Sequence, residues 1–297
     1  MSIEVVRPGP LSLVQDAGRP GHAAIGVSPS GAADRTAFAT GALLVGNDPT
    51  RHAAVEVTLG QASVKALAEV TVALTGAACP AMVDGRPVAW GRAFALAAGA
   101  TLTLGLPPTG LRCYLSVAGG IEVPAVLGSR STDLLSGLGP PRLSAGMVLP
   151  VGKPPPTAPE ELAGEKTRRH GGGALSLPKG SPPPTLELLP GPRTDWLADA
   201  DSLATTWTVS PESNRVGVRL TGPTLSRAAS RVGGELPSEP LVRGAVQLPP
   251  SGQPVVFGPD HPTTGGYPVV AVLTESSSDR LAQCRPGDEV LLRWARP

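Results

Sequence analysis

Proline and glycine interrupt this chain so often that few stretches are long enough for a helix, and this limits the fold more than any other feature. The 37 glycines and 35 prolines approach the share found in low-complexity chains. They stand between short apolar runs, however, as turn punctuation, which is the pattern of many short strands. Hydrophobic residues make up 41% of the chain and aromatics 3%, so the cores rest on Val, Leu and Ala. The chain reads as mainly β with a few short helices, and its length gives room for two domains.

Strand-like runs recur at residues 3–6, 11–14, 54–58, 70–74, 82–83, 93–96, 101–104, 112–118 and 147–150, and again at 185–189, 207–209, 216–220, 246–248, 253–257, 269–273 and 289–294. Residues 34–45 break the pattern: Asp34 offers an N-cap, apolar residues fall at 37, 38, 42, 44 and 45, and Gly46-Asn47 supplies a stop. Gly41 inside this predicted helix costs about 1 kcal/mol relative to Ala. Residues 196–203 predict a second short helix. Proline triplets bracket a charged, Gly-rich stretch at 154–184, which reads as a linker or surface excursion. The expected organisation is one domain at 1–153, the linker at 154–184 and a second domain at 185–297.

Lys+Arg number 25 and Asp+Glu 24, so no charge excess points to nucleic acid or a membrane surface. Three widely spaced cysteines, Cys79, Cys113 and Cys284, form neither CxxC nor a disulfide framework, which suits a reducing cytoplasm. Neither a signal peptide nor an apolar run of transmembrane length is evident. The four histidines lack HExxH or HxH spacing, so no metal is expected. GxSxG, the P-loop and a Ser-rich amidase stretch are also missing.

Chemistry-bearing side chains concentrate in a few loops. Gly258-Pro259-Asp260-His261-Pro262-Thr263-Thr264-Gly265-Gly266-Tyr267-Pro268 places a carboxylate, an imidazole, hydroxyls and a phenol between two predicted strands, where binding and chemistry usually sit. A self-satisfied turn is the competing reading. Ser238-Glu239-Pro240 could bring Glu239 to Asp260 as an acid/base pair, and Gln247 precedes the same loop. Gln15-Asp16-Ala17-Gly18-Arg19 offers a guanidinium for a carboxylate or phosphate, or else an Asp16–Arg19 pair that fixes the turn. Ser28-Pro29-Ser30-Gly31-Ala32-Ala33-Asp34 leads into the predicted helix, where Asp34 is an anion-site neighbour or a plain cap. Gly119-Gly120 and Gly128-Ser129-Arg130-Ser131-Thr132 form turns, the second with an anion-recognition composition. Arg215 and Arg219 share one strand face and read as a solvated edge.

Taken in order, VQDAGRPG at 14–21, SPSGAAD at 28–34, LVGN at 44–47, Glu56, YLSVAGGI at 114–121, LGSRST at 127–132, NRVGVRL at 214–220, SEP at 238–240, GAVQLPPSGQP at 244–254, TTGGYP at 263–268 and LAQCRPGD at 281–288 resemble one family. It goes by the names allophanate hydrolase subunit 2, biotin-dependent carboxyltransferase and 5-oxoprolinase C component, and includes the KipA proteins. The departures are Ala42 where the family commonly has Asn, the run Gly139-Pro140-Pro141-Arg142, and His261-Pro262.

The resemblance implies two cyclophilin-like β-barrel domains and an enzyme component that works in a hetero-oligomer. The leading expectation is the C component of an ATP-dependent 5-oxoprolinase, opening 5-oxoproline to glutamate with a KipI-like B component and a LamB/YcsF-like A component. The alternatives are carboxyl transfer from biotin on a partner to a small amide such as urea, and a KipA-like regulator that binds a kinase inhibitor. ATP would then be bound by the complex. Asp260 and Glu239 are the expected catalytic residues. Arg19 and Arg130 would hold carboxylate or phosphate oxygens, and Thr264, Gly265, Gly266 and Tyr267 would line the site. Ser30, Asp34, Gly120, Ser131 and Gln247 complete the expected substrate contacts.

Overall fold

The computed structural model describes residues 1–155 and 182–296, so the expected linker falls almost wholly outside the described residues. The chain divides into two compact units. The N-terminal unit takes Met1–Arg19, Ser30–Asp133 and the segment that starts at Gly137; the C-terminal unit takes Pro20–Pro29, Leu134–Ser136 and the C-terminal segment. Both units are mainly β.

In the N-terminal unit the strands are β1 (Ser2–Arg7), β2 (Leu11–Gln15), β3 (Ala54–Thr58), β4 (Ser63–Ala66), β5 (Val70–Gly76), β6 (Ala81–Val83), β7 (Arg86–Pro87), β8 (Ala93–Leu96), β9 (Thr101–Leu104), β10 (Arg112–Val117) and β11 (Val148–Pro150). They form a six-stranded sheet in the order β11-β1-β4-β9-β6-β7 and a five-stranded sheet in the order β2-β3-β10-β5-β8. Alternation decides which face is buried: in β1, Ile3 and Val5 are buried while Glu4 is only half-buried. One core unites Ile3, Val5 and Leu102 of the larger sheet with Val55, Leu74 and Leu115 of the smaller. β10 is buried throughout.

Helix α1 (Arg35–Leu44) begins where the sequence places it. The Asp34 carboxylate accepts the Ala37 N–H at 2.9 Å, which satisfies one of the donors that a helix start leaves open. Gly41, a weakness by propensity, is required by packing: a Cβ there would lie 2.6 Å from Ser116 Oγ and 2.8 Å from Thr75 Oγ1. Beyond the helix, Asn47 donates to the Val117 carbonyl and accepts from the Gly119 N–H, both at 2.8 Å, tying the helix end to the end of β10.

The C-terminal strands are β12 (Thr185–Pro190), β13 (Thr206–Val209), β14 (Gly217–Thr221), β15 (Glu239–Pro240), β16 (Ala245–Gln247), β17 (Val255–Phe257), β18 (Thr264–Gly265), β19 (Val269–Leu273) and β20 (Glu289–Trp294). Seven of them close a barrel in the order β12-β19-β16-β17-β14-β13-β20, with β12 and β20 paired in parallel. Closure removes the exposed strand edges that an open sheet presents. Leu186, Leu188, Trp207, Val246 and Leu292 fill the barrel. The remaining strands, β15 and β18, make a short ribbon in which Glu239 faces Gly265.

The helices differ from the sequence expectations in two respects. Residues 196–203 form no α-helix; 3-10 turns at Thr194–Trp196 and Ala200–Leu203 flank an extended Leu197. A second helix, α2 (Glu275–Leu281), starts from the Thr274 hydroxyl as N-cap. Among the described residues no helix is long and apolar enough to cross a membrane.

Candidate functional site

The loops of the N-terminal unit that looked like anion sites are occupied by their own side chains. Asp16 Oδ1 accepts from Ser129 Oγ at 2.6 Å, Ser131 Oγ at 2.5 Å and the Gly18 N–H at 2.8 Å, and Oδ2 accepts from the Arg130 N–H at 2.6 Å. The two serine hydroxyls of the Gly-Ser-Arg-Ser-Thr loop are therefore spent on one buried carboxylate, and its Thr132 hydroxyl donates to the Pro140 carbonyl at 2.9 Å. Arg19 is buried too and does not pair with Asp16; it donates to the carbonyls of Ser131 and, at 3.3 Å, Val126. Arg130 donates to the Val123 carbonyl at 3.0 Å and to Glu122 at 3.2 Å. Arg19, Arg130 and Ser131, expected to hold a ligand, instead brace the turn.

A second buried network fixes the start of α1. Glu56 Oε2 accepts from the Ala33 N–H at 2.9 Å and from the Tyr114 hydroxyl at 2.7 Å, and that hydroxyl accepts the Asp34 N–H at 2.8 Å. Burial, reinforced by the Glu56 and Asp34 carboxylates, pushes the Tyr114 phenol well above its ordinary range. Asp34 is thus a cap. Ser30, buried at φ 52°, donates to the Thr132 carbonyl at 3.2 Å. Gly120 packs on His52, where a Cβ would lie 2.9 Å from the His52 Cβ. None of these three substrate contacts presents a free group to a ligand.

The expected acid/base pair is also reassigned. Asp260 is 0% exposed and Arg215 3%; Arg215 Nε donates to Oδ2 at 2.9 Å and Nη2 to Oδ1 at 3.0 Å. The Leu134 N–H adds a third bond at 3.1 Å. Such a forked pair positions both groups firmly, and Arg215 is no solvated edge; only Arg219 of that strand face is exposed. Neighbouring His261 is buried and donates from Nδ1 to the Pro262 carbonyl at 2.7 Å. Glu239 is held by a different arginine: Arg193 Nε lies 2.9 Å from Oε1 and 3.1 Å from Oε2, and Nη2 also bonds Oε1. That hydrogen-bonded guanidinium lowers the Glu239 carboxyl below its ordinary value. Asp260 and Glu239 are therefore each bonded to a different arginine.

The other half of the long loop does come together. The β15–β18 ribbon sets Glu239 beside Gly265, and Gln247 Nε2 donates to the Tyr267 carbonyl at 2.9 Å. Gly265 is needed for this approach, since a Cβ would sit 2.6 Å from Gln247 Nε2 and 2.9 Å from Leu241 Cδ1. Thr264 and Gly266 are exposed. A cavity of about 280 Å³ opens next to this turn, lined by Trp196, Arg227, Glu235, Gly266, Tyr267 and Pro268 among others. Tyr267 is 46% exposed. Two guanidiniums stack on Trp196, with Arg227 Cζ 5.5 Å and Arg231 Cζ 5.6 Å from the ring. Gly266 and Tyr267, expected at the site from the sequence, line this cavity, and Gln247 and Gly265 pack behind the same turn; Trp196, Arg227 and Glu235 also line it and were not among the expected residues. Nothing in the linear order ties residue 196 to residues 227 and 235.

The comparisons with known proteins fall on the whole chain. A family profile described as carboxyltransferase domain, subdomain A and B, matches residues 25–294. The chain is 39% identical over 97% of its length to the 5-oxoprolinase C component of Escherichia coli, covering 89% of that protein. It is 32% identical to urea amidolyase of Saccharomyces cerevisiae, but covers only 16% of that protein. The crystal structure of the K. lactis urea amidolyase superposes with a TM-score of 0.86 at 29% identity, over 98% of this chain and 18% of that one. The chain thus spans most of the bacterial 5-oxoprolinase component but a small part of the urea amidolyases. It belongs to the carboxyltransferase domain family, subdomains A and B.

Proposed function

We propose that this chain is the C component of a 5-oxoprolinase, an enzyme that opens 5-oxoproline to glutamate, and that it works together with a KipI-like B component and a LamB/YcsF-like A component. The observation that carries this reading is the likeness to the E. coli protein, which runs over 97% of one chain and 89% of the other. A match over most of both chains supports the same place in the same kind of assembly.

The cavity beside Gly266 and Tyr267 is the substrate site in this reading. Gly266 and Tyr267 line it, and the Gln247 amide behind them locks the Tyr267 backbone. Glu239 and Arg193 hold the ribbon that carries the turn. Opening a lactam requires its carbonyl to be polarised and its nitrogen to be protonated on leaving. In this reading ATP supplies the activation, and three loops that looked suited to its phosphates are taken up by their own groups. The α1 start is closed by Asp34, the Gly-Ser-Arg-Ser-Thr loop is filled by Asp16, and Arg130 is held by Glu122 and Val123. This supports a nucleotide bound by the complex and not by these loops.

A second reading, carboxyl transfer from biotin on a partner to a small amide such as urea, is favoured by the family profile and by the urea amidolyase relatives. Reconstitution with the KipI-like and LamB/YcsF-like partners separates the two. Glutamate release from 5-oxoproline that needs ATP and all three chains is the expected result, with little turnover by this chain alone. A complex inert towards 5-oxoproline that carboxylates urea would replace the first reading by the second.

A further inference from the structure

Two of the three cysteines meet in the N-terminal unit. β5 and β10 pair so that Gly76 stands opposite Cys113. Gly76, at φ 80°, then turns the chain back across the end of β10, and a Cβ there would lie 2.3 Å from the Arg112 carbonyl oxygen, so only glycine fits. The turn is held by the Ala77 N–H, which donates to that same carbonyl at 2.8 Å, and by the Cys113 thiol, which donates to the Ala77 carbonyl at 3.0 Å. Two residues further on, Cys79 packs against the core to which Cys113 belongs, and its sulfur is a second acceptor for the Cys113 thiol. The two sulfurs differ in access: Cys113 is fully buried and Cys79 half-buried. The Cys113 hydrogen bond holds the Cys79 thiol below its ordinary value against the opposing effect of burial, and the Gly105 backbone adds to it. Among the described residues no third metal-ligating side chain joins the pair, which leaves it two ligands short of a structural zinc site.

We infer that Cys79 and Cys113 form a redox-active thiol pair that a hydroperoxide converts reversibly to a disulfide. Cys79, the accessible member, is the attacking sulfur and Cys113 the resolving one. The Cys79 thiolate takes the terminal oxygen of the peroxide. The O–O bond breaks, and the departing hydroxide or alkoxide picks up a proton from water. Cys113 then attacks the sulfenic sulfur of Cys79, the S–S bond forms, and the sulfenic hydroxyl leaves as water with the Cys113 thiol proton. The peroxide is reduced, two thiols are oxidised, and a dithiol reductant restores both. A resolving sulfur already in hydrogen-bond contact shortens the life of the sulfenic acid, which keeps Cys79 from irreversible oxidation to the sulfinic acid. Cys284 is the internal control: it is buried in the C-terminal unit, and its thiol donates to the Arg280 carbonyl at 3.4 Å.

The test uses the reduced full chain and hydrogen peroxide. After exposure the free thiols are blocked, the chain is digested and the peptides are identified by mass spectrometry. The expected product is a Cys79–Cys113 link, two hydrogens lighter than the separate peptides, that dithiothreitol reverses while Cys284 stays a thiol throughout. Without peroxide, iodoacetamide should label Cys79 about tenfold faster than Cys113 or Cys284. In Cys113→Ser the sulfenic acid of Cys79 should last long enough to be trapped by dimedone, and in Cys79→Ser peroxide consumption should fall about tenfold. Thermal melts show whether each variant folds; where one does not, the link and the labelling order in the parent chain decide. A parent chain in which Cys79 stays reduced, passes to the sulfinic acid without linking, or links to Cys113 only in urea overturns the inference. So does labelling of Cys284 ahead of Cys79.

Discussion

Replacing Asp260 by Asn tests whether this carboxylate is a brace or a reagent. The side chain is 0% exposed and takes two bonds from Arg215, at 2.9 and 3.0 Å, and one from the Leu134 N–H at 3.1 Å. Asn has the same shape, but one of its two polar ends is an NH₂ that would face guanidinium N–H groups. Arg215 then keeps a buried charge with its anion gone. Breaking a buried pair in this way costs about 3–5 kcal/mol, and the oxygen that Asn retains places the change near the lower end. At about 2–4 °C per kcal/mol for a domain of this size, the melting temperature should fall by roughly 6–12 °C. Arg215→Met should cost a similar amount, and Arg215→Met combined with Asp260→Leu should recover much of the loss, because neither charge is then stranded. Denaturant titration and turnover of the reconstituted complex on the same preparations give both readouts. Stability within about 0.5 kcal/mol of the parent, with turnover per folded molecule reduced a hundredfold or more, would refute the structural role and return Asp260 to the chemistry.

Three further outcomes follow from the geometry. Gly41→Ala gains about 1 kcal/mol on helix propensity, yet should destabilise the chain by about 1–3 kcal/mol in thermal melts, because the new Cβ falls 2.6 Å from Ser116 Oγ. Gly265→Ala should break the Gln247–Tyr267 bond and weaken ligand binding in titration while leaving the barrel intact, since its Cβ would meet Gln247 Nε2 at 2.6 Å. The Tyr114 phenol is raised in the folded chain, so the stability it contributes is fully present below pH 10 and is lost as pH rises beyond the ordinary phenol value. In a Tyr267→Phe background, phenolate absorbance should therefore appear together with unfolding; its appearance in the folded chain would contradict the buried network.

The parts of the fold that local order determines were legible. The start and stop of α1 stand in the sequence as Asp34 and Gly46-Asn47, and the alternation in β1 and β12 names the buried side chains Ile3, Val5, Leu186 and Leu188 directly. β4 escaped because Ser-Val-Lys-Ala has little β-branched character, and α2 because three serines sit at the heart of a seven-residue helix. The site was half legible. Gln247, Gly265, Gly266 and Tyr267 sit close together in the chain and do meet. The partners of Asp260 and Glu239 were not legible because their arginines lie 45 and 46 residues away, and whether a carboxylate is free depends on its partner. Arg215 illustrates the same point from the other side: strand periodicity gives its face, while burial of that face depends on a loop far along the chain.

The C-terminal unit draws on three separate segments, two of which precede the barrel by a long stretch of chain. This bears on the order in which the protein is made. Leu134, whose N–H serves Asp260, leaves the ribosome 126 residues ahead of it, which at about 5–20 residues per second is a delay of roughly 6–25 s. Through that interval Pro20–Pro29 and Leu134–Ser136 have no finished unit to join, and Ile25 and Leu135, 68% and 50% exposed even at the end, stand open to other chains. A fragment beginning at residue 182 would lack both segments from the outset, so separate expression of the barrel strands should give an aggregation-prone product unless peptides spanning 20–29 and 134–136 are supplied with it.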